Sequence, residues 1–134
     1  MSITSAIRPD DVLLALLALG PDAETRLTGV SERIHKTVFH LKTDYPEAFA
    51  EFIFSSSTSY PYSEQLASSL HSLQWCRLIG MENPDFRVYF VRDSVRRVFQ
   101  EVVQPRLPES ILSDLAAASR RFWQKAGEPE TGDQ

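Results

Sequence analysis

The fold is decided by the stretch Ser63-Glu64-Gln65-Leu66-Ala67-Ser68-Ser69-Leu70-His71-Ser72-Leu73-Gln74-Trp75-Cys76-Arg77-Leu78-Ile79 and the run Phe86-Arg87-Val88-Tyr89-Phe90-Val91 that follows it. Ser63 suits a helix N-cap because its hydroxyl accepts a backbone N–H of the first turn, and Glu64 favours the positive end of the helix dipole. Leu66, Leu70 and Leu73, with Trp75, are expected to turn inward, leaving Gln65, Ser68, Ser69, Ser72 and Gln74 on a polar side. Phe86, Val88 and Phe90 alternate with Arg87 and Tyr89, the period of a half-buried strand. Leu78-Ile79-Gly80-Met81 supplies its partner, and Glu82-Asn83-Pro84-Asp85 has the chemistry of a hairpin turn. A polar-faced helix followed by a hairpin is the closing half of a winged helix.

Upstream, Ile34, Val38, Leu41 and Tyr45 predict a helix that starts at Ser31, after Thr28-Gly29, and stops at Pro46. An earlier helix opens on Arg8-Pro9-Asp10-Asp11, carries Val12, Leu13, Leu16, Leu17 and Leu19, and ends at Gly20-Pro21-Asp22. Phe49, Phe52, Ile53 and Phe54 are expected to end in a short strand, and the polar run 55–59 is a loop. Downstream, Ser94–Gln104 and Glu109–Lys125 read as two further helices, separated by Pro105 and Pro108. The expected fold is mainly α: a winged helix-turn-helix with a two-stranded wing and a C-terminal helical extension. Residues 1–126 form one domain in this reading, and 127–134 a disordered tail.

A chain of 134 residues has room for one core, and no apolar run approaches the length of a membrane span. One cysteine, Cys76, cannot form an internal disulfide, and the N-terminus lacks the pattern of a secretory signal, so a cytoplasmic location is expected. The net charge is −4, yet residues 31–99 hold eight basic and eight acidic residues. The deficit lies in the flanks, which speaks against strong non-specific nucleic-acid binding while leaving room for a local contact.

The segments Thr28-Gly29-Val30-Ser31-Glu32-Arg33-Ile34-His35-Lys36-Thr37-Val38-Phe39-His40-Leu41, Tyr60-Pro61-Tyr62-Ser63-Glu64-Gln65-Leu66 and Leu73 through Ile79 resemble small prokaryotic winged-helix proteins of the YwgA-like type, over about residues 28–92. That group pairs a helix carrying a leucine or isoleucine and, two places on, a lysine with a downstream Gly-Pro-Tyr-Ser that opens a helix ending in Gly-Leu-Ile. Here Tyr60 replaces the glycine, and Cys76-Arg77 stand before Leu78-Ile79. The resemblance implies the fold, and with it either DNA binding or protein association.

For DNA binding, Gln65, Ser68, Ser69 and Ser72 are the expected base-reading residues, and Arg33, Lys36 and Arg87 the phosphate contacts. The alternative is a non-enzymatic adaptor or subunit that meets a protein partner, or a second copy, through Phe122 and Trp123 on the last helix. His35 and His40, like His71 and Cys76, are five residues apart, so each pair diverges by about 140° around a helix and suits no metal. Cys76 reads as a small buried hydrophobe. No phosphate-binding glycine loop or nucleophile elbow is present, so neither an enzyme nor a cofactor is expected.

Overall fold

The computed structural model describes residues 7–20, 26–56, 59–81 and 88–127. It is mainly helical, with α1 (Pro9–Ala18), α2 (Ser31–Asp44), α3 (Glu64–Trp75), α4 (Ser94–Val98) and α5 (Glu109–Ala126). Three short strands, β1 (Arg26–Thr28), β2 (Ile79–Met81) and β3 (Val88–Val91), form an antiparallel sheet in the order β1-β3-β2. Leu27 pairs with Tyr89, and Gly80 with Phe90. The expected hairpin is therefore present as β2 and β3, its turn lying outside the described residues, and β1 is an addition to it.

Helix α1 is the axis of the molecule. Every residue from Asp11 to Ala18 is buried, because α3, α4 and α5 pack around it. A helix apolar on all sides needs such a complete jacket. Its two opening carboxylates find partners: Asp10 accepts a 2.6 Å hydrogen bond from Ser69, and Asp11 pairs with Arg106 at 3.4 Å. At its other end the carbonyl of Leu16 would be orphaned by the end of the helix. It accepts instead from Ser119 Oγ at 2.6 Å and Trp123 Nε1 at 3.0 Å, both on α5. Phe122 and Trp123, expected at an interface, are thus core residues, 0% and 5% exposed.

After α4 the chain widens into a π-helical turn, Phe99–Val103, and closes with a 3₁₀ turn, Gln104–Arg106. Pro105 has no N–H to donate and its ring crowds the preceding turn, so a regular helix cannot continue through it. The wider turn brings Val103 into the core in place of Val102, which is half exposed. Phe52–Phe54 form no strand; only Ser55 bridges to Tyr62. Gly127, placed in the tail by sequence, bridges to Leu27, and 128–134 lie outside the described residues. No helix among the described residues is long and apolar enough to cross a membrane.

Candidate functional site

Helix α3 is fixed at its start by a network that reaches back to α2. Ser63 is fully buried; its Oγ accepts from Leu66 N at 3.2 Å and donates to Gln65 Oε1 at 3.1 Å. The Ser63 N–H donates to Nδ1 of His35, a buried residue of α2, at 3.0 Å. Tyr62 stacks on the His35 ring at 4.4 Å, and the Tyr60 hydroxyl donates to Ser31 Oγ at 3.1 Å. Burial holds the His35 pKa below its ordinary value.

The far end of α3 is closed by a Schellman arrangement, in which Leu78 N donates to Leu73 O and Arg77 N to Gln74 O, both at 2.9 Å. Arg77 takes the left-handed conformation, φ 63°, where glycine is the usual residue. The next turn of chain is tied to β3 through Arg92 N, which donates to Leu78 O.

Between these ends α3 presents a stripe to solvent. Glu64, Ser68, His71 and Trp75 are exposed, and at about 100° per residue they lie within about 60° of arc. Trp75 is 81% exposed. The stripe is rotated from the expected reading face. Ser68 belongs to it and Ser72 flanks it half-buried, but Ser69 is buried against Asp10 and cannot reach a ligand. Gln65 is held by Ile53 N, which donates to its Oε1 at 3.0 Å. Trp75 and Cys76 are exposed rather than buried. The outward direction is opposite the mean of Leu66, Leu70 and Leu73, a signal present in the sequence once Trp75 is excluded from the core set.

Of the expected phosphate contacts, Arg33 and Lys36 do not gather beside α3. Arg33 lies about 160° around α2 from His35, the residue that faces α3, and its guanidinium donates to the carbonyls of Lys125 at 2.9 Å and Gly127 at 3.3 Å. Lys36 pairs with Glu32 at 3.0 Å. Arg87 lies outside the described residues. The cations near the end of α3 are Arg77 and Arg92, both exposed; the Arg92 guanidinium stands 5.9 Å from the centre of the half-exposed Phe90 ring. Comparison with protein-family models, with curated proteins and with solved structures finds no match. The YwgA-like resemblance therefore rests on the residues quoted for it.

Proposed function

We propose that this chain is a small cytoplasmic winged-helix protein, not an enzyme, that binds nucleic acid in a regulatory role with α3 as its reading helix. The observation that carries the reading is the element order α1-β1-α2-α3-β2-β3 with the sheet order β1-β3-β2. In this reading α2 and α3, joined through residues 45–63, take the places of the two helices of a helix-turn-helix, and β2-β3 that of the wing. Ser68, His71 and Ser72 reach base edges, and Arg77 and Arg92, at the junction of α3 and the wing, meet phosphates.

Anisotropy of a labelled duplex, titrated at several salt concentrations, tests this. Affinity is expected to fall steeply with salt, and Arg77→Ala with Arg92→Ala to weaken binding and reduce the logarithmic slope by about two units, one per phosphate contact. Binding that is flat across salt, or absent at low salt, overturns it.

Trp75 favours a second reading, a protein adaptor, because a tryptophan 81% exposed on a stripe without lysine or arginine is the usual anchor of a protein interface. Under it, Trp75→Ala abolishes a complex recovered from the native host while duplex binding is nil throughout.

A further inference from the structure

A second surface lies on the other side of α2, where α2 and the end of α5 enclose a groove of about 500 Å³ lined by Arg33, Lys36, His40, Asp44, Arg121 and Lys125, with Leu41 and two threonines. Four permanent cations face one carboxylate there, in a chain whose net charge is −4. Such segregation into a cleft focuses the field and draws anions.

The two arginines are braced. Arg33 spans the groove from α2 to the last carbonyls of α5, which also offsets the negative end of that helix dipole. Arg121 is bound to Asp44 from the opposite wall, a hydrogen bond that raises its already high pKa. The lysines are differently placed. Lys36 is half exposed and paired only with an equally exposed Glu32, an interaction of little net worth that Lys36 can exchange for a better anion. Lys125 has no ion pair among the described residues, and it lines the same groove as His40.

The geometry points to a binding site for a small molecule carrying two or more linked phosphates. Several spaced cations suit an oligophosphate better than a single carboxylate, since each phosphate brings its own charge and acceptor oxygens. Leu41, Thr37 and Thr43 complete the lining of the groove. The volume is that of a small-molecule cleft, whereas a nucleic-acid backbone needs an open track of cations.

Calorimetric titration of the full chain with inorganic tripolyphosphate tests the site. Saturable one-to-one binding is expected, weakened about tenfold or more by the double variant Lys36→Gln, Lys125→Gln; both side chains are exposed, and thermal melting verifies that the variant is folded. Absence of saturable heat, or a double variant that binds as tightly as the parent, overturns the proposal. A labelled duplex is titrated in parallel. Duplex binding indifferent to tripolyphosphate supports a separate small-molecule site. Competitive displacement of the duplex, with equal loss in the double variant, overturns it by assigning the groove to a nucleic-acid backbone.

Discussion

Nδ1 of His35, on α2, accepts the backbone N–H of Ser63, the residue that caps α3. Only a neutral imidazole can do this, with its proton on Nε2. The bond therefore ties the placement of the presented helix to the protonation of a buried ring.

Acidification is expected to destabilise the fold through His35. The unfolded side chain titrates near 6.5, and burial lowers the folded value. Between the two the unfolded state holds more protons, so stability falls as pH drops below about 6.5 and is unaffected by this group above it. Urea melts across this range compare the parent with His35→Asn, whose side-chain oxygen accepts at every pH. The variant should show a shallower dependence; an identical one would remove His35 as the cause.

Arg77→Gly is expected to stabilise the protein by about 0.5–1 kcal/mol, because release from a left-handed conformation outweighs the extra freedom glycine gains on unfolding. The same change should weaken duplex binding. Opposite signs in the melt and in the binding titration mark Arg77 as a residue kept for its side chain. Loss of both would point to a structural role.

The two tryptophans should report separately. Trp75 is 81% exposed and Trp123 5%. Acrylamide is expected to quench one component of the emission readily and the other poorly, and Trp75→Phe to remove the accessible one. A ligand on the α3 stripe should shield that component, whereas tripolyphosphate should leave it unchanged.

Gly20 packs against Trp123 so closely that an added Cβ would sit 2.1 Å from Nε1. Gly20→Ala should therefore cost about 1–3 kcal/mol through overpacking. Trp123→Phe should lose a similar amount, by removing one donor from the Leu16 carbonyl and leaving a gap. Both are read from thermal melts, and no change in either would contradict the packing of α5 on α1.

Most of the helices were legible because an apolar pattern runs up to a proline or glycine stop, as with Pro46 after α2 and Gly20 after α1. Helix α3, which closes on Arg77, shows itself by its apolar period and its Ser63 cap. Strand β1 was not. Three residues have too little pattern to mark a strand, and Arg26-Leu27-Thr28 is defined by pairing with β3, far along the chain. The reading face of α3 was misplaced for a related reason: period locates the buried side, but which flank a neighbour covers depends on where that neighbour packs. Asp10, at the start of α1, removes Ser69 from the surface, and no local feature of α3 announces it. The sequence offers Phe122 and Trp123 as interface anchors, and only the position of the Leu16 carbonyl shows that they serve the interior.

The jacket around α1 also sets the order in which the molecule can be completed during synthesis. The most apolar helix leaves the ribosome well before the residues that close over it, Leu115 to Trp123. Until they arrive, one wall of α1 is uncovered, the condition in which nascent chains associate with one another or recruit chaperones. The helix at the centre of the finished protein is thus the part most in need of protection before it is finished.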